Sequence, residues 1–206
     1  FNYYVEQLNR SKRGITLDIS KPKGREIFLK LIEQADVFVT SLLEPARQRL
    51  GITYDDLRAV NPRLIYARGH GQGQRGPEAY HAGFDAISYW ARSGIAHLAT
   101  PPGGPYIPMP GGAFGDVQGG LALAAGIAAA LYRRSVTGRG GLVDVSLLGM
   151  AVWVLFADIL ASNLLGMDSK QARAAGPPLN PLVGNYRTAD NRYVALVMLQ
   201  SDRYWP

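Results

Sequence analysis

Asp116 is the residue whose type and surroundings point most directly to chemistry. It lies in the run Ala113-Phe114-Gly115-Asp116-Val117-Gln118-Gly119-Gly120, where glycines flank it and an apolar segment follows. Glycine leaves no side chain to shield a carboxylate, and it is used where a ligand approaches the backbone closely. The pattern therefore predicts a carboxylate that is presented to a ligand.

A purely structural role is the alternative interpretation of Asp116. The Ala/Leu-rich residues 121–132 predict a helix, which breaks at residues 137–141. Asp116 then lies at or just before the helix N-terminus, where unpaired N–H groups and the helix dipole favour an anion. Aspartate is also a preferred N-cap residue. The local sequence leaves both roles open.

The elements that would position Asp116 alternate between strand and helix. Residues 14–18, 36–40 and 64–67 have the short β-branched or apolar patterns of strands. Pro22 opens a predicted helix to residue 33, and Thr53 with Asp56 signals the start of the next helix. Because parallel strands need crossover connections, the alternation predicts an α/β fold with an open parallel sheet flanked by helices. In such sheets, ligands bind where the strands end.

The C-terminal part of the chain has a different pattern. Residues 147–165 are the most apolar segment and are interpreted as one core helix rather than a membrane span. Residues 185–199 alternate like a hairpin that turns at Asp190-Asn191. We therefore predict a large domain over residues 1–165, a linker over 166–181 and the start of a smaller α+β domain over 182–206.

The composition excludes several kinds of site. The 206 residues are 47% hydrophobic and 18% charged, so the chain can bury a full core. Cysteine is absent, which excludes disulfides, thiolate metal sites and cysteine nucleophiles, and we expect a cytoplasmic location. His70, His81 and His97 lack the spacing of a metal site, so no metal is expected. The ends lack signal-sequence patterns, and no membrane association is expected.

The net charge of +6 raises the question of a nucleic-acid partner. The basic residues are dispersed, their short clusters lack interleaved aromatic residues, and no zinc-finger or RNP spacing occurs. A small phosphorylated ligand accounts for the charge as well, since positive potential concentrates an anion near its site. We therefore expect no nucleic-acid partner.

Six short motifs occur in an order that carries a family resemblance. Together they are similar to the family III CoA-transferases, the formyl-CoA and carnitine-CoA transferase group. The similarity runs from about Leu8 to the last residue, and the ordered set is more specific than any single motif. The motifs are residues 9–18 (NRSKRGITLD), 35–39 (ADVFV), 61–66 (NPRLIY), 83–87 (GFDAI), 115–116 (GD) and 137–140 (TGRG).

The resemblance implies both an activity and an assembly. It implies transfer of coenzyme A from an acyl-CoA donor to a carboxylic acid, with Asp116 as the nucleophile that forms a mixed anhydride and then an aspartyl-CoA thioester. Backbone N–H groups near Gly119-Gly120 are the expected oxyanion donors. The resemblance also implies a Rossmann-like large domain, an interlocked homodimer, and further segments before Phe1 and beyond Pro206.

The resemblance implies a set of CoA-binding residues, with departures from the family pattern. Ser20 and His70 stand where a lysine is common, and Ser41-Leu42-Leu43 replaces Asn-Phe-Gly. Arg49 is retained and suits a CoA phosphate, although a cation near a helix C-terminus is the alternative interpretation. The expected CoA-binding residues are Leu17, Asp18, Ser20, Ser41, Leu42, Arg49, His70, Gly71 and Gln72.

Two other functions compete with transfer. The related α-methylacyl-CoA racemases use a histidine and a glutamate where this chain has Phe84 and Gln200, and neither side chain exchanges protons at ordinary pH. A CoA-binding protein without catalysis is the second alternative. Phe84 and Gln200 favour the transferase over the racemase, and the retained Asp116 argues against a non-catalytic binder.

Overall fold

The computed structural model describes residues 1–79, 81–166, 168, 170–171 and 180–204. The chain divides into two compact units, Phe1–Leu155 and Phe156–Pro206. The first unit ends ten residues before the predicted boundary at residue 165. The predicted linker over residues 166–181 lies largely outside the described residues, so that boundary stays a prediction.

A parallel sheet forms the centre of the first unit. Among the described residues its strands are β1 (Val37–Thr40), β2 (Ile65–His70) and β3 (Gly141–Ser146), in the order β1-β2-β3. Both pairings are parallel, so all three strands end at the same edge. This confirms the predicted α/β fold with a parallel sheet, while the finer Rossmann-like assignment stays a prediction.

Helices cover and connect these strands. They bury a core that includes Ile32, Leu57 and Tyr66. A π-helical segment, Ala86–Ala91, lies in the long connection between β2 and β3. The α-helices are α1 (Tyr3–Asn9), α2 (Pro22–Gln34), α3 (Glu44–Leu50), α4 (Tyr54–Val60), α5 (Ile95–Ala99), α6 (Phe114–Thr137) and α7 (Leu147–Val154).

Several helix signals in the sequence are confirmed. Pro22 is the first residue of α2. At α4, the Thr53 hydroxyl accepts the N–H of Asp56, and the Asp56 carboxylate accepts the N–H of Thr53 at 2.9 Å. α6 ends at Thr137, and the next residue, Gly138, has a left-handed conformation with φ 71°. Local caps therefore fixed these helix ends as the sequence indicated.

Two predicted elements are wrong. Residues 14–18 form no strand, because no described strand pairs with them, and Ile15 is exposed. Alternating side chains do not form a strand without a neighbour that completes the hydrogen-bond ladder. Residues 147–165 are not one helix, since α7 ends at Val154 and a second helix, α8 (Phe156–Leu165), follows Leu155. Neither Gly nor Pro marks this break in the sequence.

Helix α6 is strongly apolar, and one side of it packs on the sheet. By length and composition alone, this helix could cross a membrane. It packs against β2 and β3, and a Cβ at Gly126 would lie 2.6 Å from Val143 Cγ1. Glycine at this position therefore allows the helix to lie close on the sheet. Core helices pass the same length test, so the expectation of no membrane association stays a prediction.

The second unit contains α8 and an antiparallel hairpin. Strands β4 (Val183–Arg187) and β5 (Tyr193–Val197) pair with Arg187 opposite Tyr193. Asn191 adopts a positive φ of 63° in the turn. The hairpin and its turn at Asp190-Asn191 are therefore confirmed.

Candidate active site

A pocket of about 390 Å³ lies at the edge where the three parallel strands end. Ser41 follows β1, His70 ends β2 and Val145 lies near the end of β3. Helix α6 and the segment before the π-helical residues complete the wall. The lining residues are Ser41, Leu43, Gly69, His70, Gly71, Ala82, Gly83, Phe84, Asp116, Gly119, Gly120, Leu123, Val145 and Leu147.

Asp116 reaches this pocket from the first turn of α6. Partial burial and then the negative charge of Asp85 raise the pKa of the Asp116 carboxyl above its ordinary value. The residue nevertheless remains solvent-exposed. Among the described residues, none forms a hydrogen bond or ion pair with this carboxylate. A ligand can therefore approach it without displacing a protein partner.

The interpretation of Asp116 as the N-cap of α6 is wrong. The N-cap position is Ala113, which has φ 61° and ψ 24° and makes no side-chain capping bond. The Asp85 carboxylate accepts the N–H of Gly115 instead, with both oxygens 3.0 Å from the nitrogen. Asp85 is 6% exposed. A buried side chain from a distant segment therefore accepts one of the unpaired N–H groups at the start of this helix.

Sequence reasoning did not assign Asp85 to the site. Its motif, residues 83–87, contributed only to the family resemblance. The glycine at position 115 was the available signal, because a Cβ there would lie 2.4 Å from Asp85 Oδ1 and 2.2 Å from Tyr89 Cγ. Only glycine allows these three residues to approach so closely.

Two glycines shape the opposite wall of the pocket. A Cβ on Gly71 would lie 2.5 Å from the Gly83 carbonyl oxygen, and one on Gly83 would lie 2.0 Å from Ser88 Oγ. The Gln72 amide donates to the same Ser88 hydroxyl at 3.1 Å. The two loops that carry these glycines are therefore in direct backbone contact.

The side chain of His70 is engaged at both ring nitrogens. Nε2 lies 2.6 Å from Asp144 Oδ1, and Nδ1 accepts the N–H of Gly73 at 3.0 Å. Because Nδ1 accepts a hydrogen bond, the proton shared with Asp144 is on Nε2. His70 therefore holds the loop that follows β2, and its ring nitrogens are occupied by protein partners.

Asp144 connects His70 to a chain of charged side chains. Arg68 Nε donates to Asp144 Oδ2 at 2.7 Å, and Arg68 Nη1 lies 3.9 Å from Glu44 Oε2. Glu44 pairs in turn with Arg47, which is 1% exposed. Burial alone would raise the pKa of Asp144, but hydrogen bonds from His70 and Arg68, together with the positive charge of Arg68, lower it below its ordinary value.

The structure brings some of the sequence-predicted site residues together. Ser41, His70 and Gly71 line the pocket with Asp116. The Asp18 carboxylate accepts the N–H and hydroxyl of Ser20, in an exposed turn before α2. The assignments to CoA stay predictions for all of them. The predicted residues that do not line the pocket are Leu17, Asp18, Ser20, Leu42, Arg49 and Gln72.

The expected oxyanion donors need a correction. Gly119 and Gly120 lie inside α6, where an α-helix pairs each N–H with the carbonyl four residues earlier. Their N–H groups are therefore used by the helix. The unpaired N–H groups of a helix belong to its first turn, and here Gly115 already donates to Asp85.

A metal centre was not expected from the sequence. Within the part of the chain that the structure describes, no group of three or more His, Asp or Glu side chains could hold a metal ion. The expectation of a metal-free site stays a prediction.

Comparison with known proteins identifies the family. Residues 2–206 match the family model described as CoA-transferase family III. The chain belongs to this family. It is 33% identical over 203 residues to the (R)-2-hydroxy-4-methylpentanoate CoA-transferase of Clostridioides difficile. The aligned region covers 98% of this chain and 50% of that protein. It is also 40% identical over 144 residues to the acetyl-CoA:oxalate CoA-transferase of Acetobacter aceti, covering 70% and 37% respectively.

Solved structures of relatives share the fold. Rv3272 from M. tuberculosis superposes with a TM-score of 0.78 at 27% identity, over 95% of this chain and 50% of that chain. A CAIB/BAIF family protein from Brucella suis gives a TM-score of 0.75 at 29% identity, over 88% and 47%. The chain spans about half the length of the curated relatives it matches most fully.

The charge network beside the pocket predicts a pH-dependent contribution to stability. Asp144→Asn should lower the free energy of unfolding at pH 7 by about 2 kcal/mol, because Arg68 and His70 lose a charged acceptor. The folded-state pKa of Asp144 is lowered, so its contribution is present above the ordinary value of about 3.9. It is lost as the pH falls through the lower folded-state pKa.

Urea unfolding of the wild type and the variant between pH 7 and pH 3 measures this difference. The exposed Asp36, which pairs with Arg134 at 2.7 Å, provides the control substitution Asp36→Asn, whose effect should be small. A difference between wild type and Asp144→Asn that is the same at pH 7 and well below pH 4 would contradict the prediction.

Proposed function

We propose that this protein transfers coenzyme A from an acyl-CoA donor to a carboxylic acid acceptor, with Asp116 as the nucleophile. The observation that carries the proposal is the Asp116 carboxylate, which lines the pocket and has no described protein partner. Membership of CoA-transferase family III supports it. The names of the relatives refer to acids such as oxalate and (R)-2-hydroxy-4-methylpentanoate, which supports a carboxylic acid as the acceptor.

The proposed reaction divides one acyl exchange into steps with covalent intermediates. The Asp116 carboxylate attacks the carbonyl carbon of the donor thioester, and CoA thiolate leaves as a mixed anhydride forms. The thiolate then attacks the Asp116 carbonyl, which releases the donor acid and leaves an aspartyl-CoA thioester. The acceptor carboxylate repeats these steps in reverse, and Asp116 is regenerated.

The raised pKa of Asp116 fits this role. A carboxylate with a higher pKa holds its charge less favourably and is therefore the stronger nucleophile. The glycines at 115, 119 and 120 leave space around it for the thioester. The geometry therefore supports direct attack by Asp116.

The proposal favours transfer over racemisation. Phe84 lines the same pocket as Asp116, and its ring cannot carry a proton between substrate faces. The pocket lies at the carboxyl edge of a parallel sheet, as ligand sites do in Rossmann-like folds, and we include that fold assignment in the proposal. Of the CoA-binding residues expected from the resemblance, Ser41, His70 and Gly71 line this pocket.

Replacement of Asp116 tests the nucleophile. Asp116→Asn and Asp116→Ala should each lower CoA transfer at least about 1,000-fold, because neither side chain forms the anhydride. CoA affinity and the unfolding midpoint should change little, since Asp116 does not cap α6. Steady-state assays of the full-length protein measure CoA transfer and the KM for acyl-CoA, and thermal unfolding measures the midpoint. Mass spectrometry of the wild type after incubation with acyl-CoA detects the covalent adduct.

A matched control is Asp55→Asn. Asp55 also lies in the first turn of a helix, α4, but it does not line the pocket. This control should keep wild-type transfer. Transfer within about tenfold of wild type in Asp116→Asn, with deamidation excluded by mass, would remove Asp116 from the mechanism. A wild type that binds acyl-CoA without forming an adduct or product would instead indicate a CoA-binding protein.

Arg49 is proposed as a contact for a CoA phosphate. It is exposed in the last turn of α3. Arg49→Ala should raise the KM for acyl-CoA and leave kcat nearly unchanged, because a remote phosphate contact stabilises ground and transition states equally. Arg58→Ala, at an exposed arginine in the last turn of α4, is the control. An unchanged KM in folded Arg49→Ala would reject the phosphate contact and leave Arg49 with only a structural role at the C-terminus of α3.

The assembly and location of the whole protein are also proposals. The family resemblance suggests an interlocked homodimer, and exposed apolar residues on α6, such as Leu121 and Val136, are compatible with a covered surface. Light scattering of the full-length protein should give twice the monomer mass. A stable monomer at micromolar concentration would reject the dimer. Cell fractionation should recover the protein in the cytoplasm.

A further inference from the structure

The two aspartates at the start of α6 have different surroundings. Asp85 is buried and bonded to the N–H of Gly115, whereas Asp116 is exposed and lacks a partner among the described residues. The N-cap residue, Ala113, has no side-chain oxygen to satisfy the helix start. The helix therefore depends on an acceptor from another segment.

Another helix in the same chain shows what an aspartate does when the cap is local. Asp56 occupies the third position of α4, and its carboxylate turns back to accept the N–H of Thr53 at 2.9 Å. Asp116 occupies the third position of α6 but makes no such bond. An acidic side chain at this position commonly reaches back to the helix start. Something must therefore keep Asp116 from doing so.

We infer that Asp85 is a positioning residue that caps α6 from outside the helix and thereby leaves the Asp116 carboxylate available in the pocket. Two contacts fix Asp85 and its segment in place. Gly115 admits the close approach, and the Tyr89 hydroxyl donates to Gln118 Oε1 at 2.7 Å, one turn further along α6. The ring of Phe114, the first residue of α6, makes T-shaped contacts with the rings of Tyr89 and Trp90.

A stability cycle tests the competition between the two carboxylates without reference to catalysis. In the Asp85→Ala background, Asp116 becomes the nearest acceptor for the first-turn N–H groups. Asp116→Ala should therefore leave the Tm of the otherwise wild-type protein unchanged but lower the Tm of Asp85→Ala by about 4 °C. Equal effects of Asp116→Ala in both backgrounds would overturn the inference.

Kinetics test the consequence for the proposed function, on which this part of the inference rests. Asp85→Ala should lower kcat about 100-fold with little change in the KM for acyl-CoA, because the nucleophile turns away from the bound thioester. Asp85→Asn keeps an acceptor oxygen for Gly115 and should restore kcat to within about fivefold of wild type. Thr53→Ala, which removes the cap of α4 away from the pocket, should lower stability without lowering kcat.

The outcomes separate the inference from the proposed function. If Asp116→Asn keeps wild-type transfer, the proposed function fails, while the stability cycle still decides whether Asp85 and Asp116 compete. If Asp85→Ala does not fold, Asp85→Asn decides alone. A folded Asp85→Asn that loses kcat as completely as Asp116→Asn would overturn the inference, since the cap would then not be what Asp85 contributes.

Discussion

The bonds that Asp144 accepts hold together the edge of the sheet on which the pocket is built. Asp144 lies on β3 opposite Arg68 of β2, and it binds both Arg68 and His70. Arg68 lies near Glu44, and Glu44 pairs with the buried Arg47 of α3. One carboxylate thus links two strands, a helix and the loop after β2. The loops beyond the strand ends have no backbone hydrogen-bond ladder to hold them, so side-chain bonds of this kind fix the wall of the pocket.

A partly buried charge network of this kind fixes the relative positions of the groups that it joins. Removing charges from water is unfavourable, and their mutual attraction offsets that penalty only when the geometry is good. Arg47 meets this condition with bonds to Glu44, to the Leu42 carbonyl at 2.5 Å and to Gln74 at 3.2 Å. The segment after β1 and the loop after β2 are therefore held in one relative position. The pocket wall gains a defined shape from this arrangement.

The sequence predicted the parts of the structure that depend on neighbouring residues. Pro22, the Thr53–Asp56 capping box and Gly138 marked helix ends correctly, and the strands β1 and β2 followed from short apolar runs. The adjacent glycines and the order of the family motifs predicted that Asp116 faces a ligand site, and it lines the pocket. These signals lie within a few residues of what they predict.

The errors arose where the deciding partner lies far along the chain. Residues 14–18 have a strand pattern, but no described strand pairs with them. Asp85 caps a helix 30 residues away, and His70 binds a residue 74 positions away. Gly115 is visible in the sequence, but the sequence does not show that the Asp85 carboxylate occupies the space beside it. The helix cap assigned to Asp116 was wrong for this reason.

The long connection between β2 and β3 has a consequence for how the protein folds. Ile65 pairs with Gly141, and the chain between these strands contains both Asp85 and Asp116. Joining such distant residues requires closure of a long loop before the contacts that reward it exist, so parallel sheets of this type form slowly. Asp116 lines a pocket whose wall also includes Val145 of β3, so the pocket is complete only after that strand joins the sheet. A nascent chain would expose Asp116 without its complete pocket until β3 has docked.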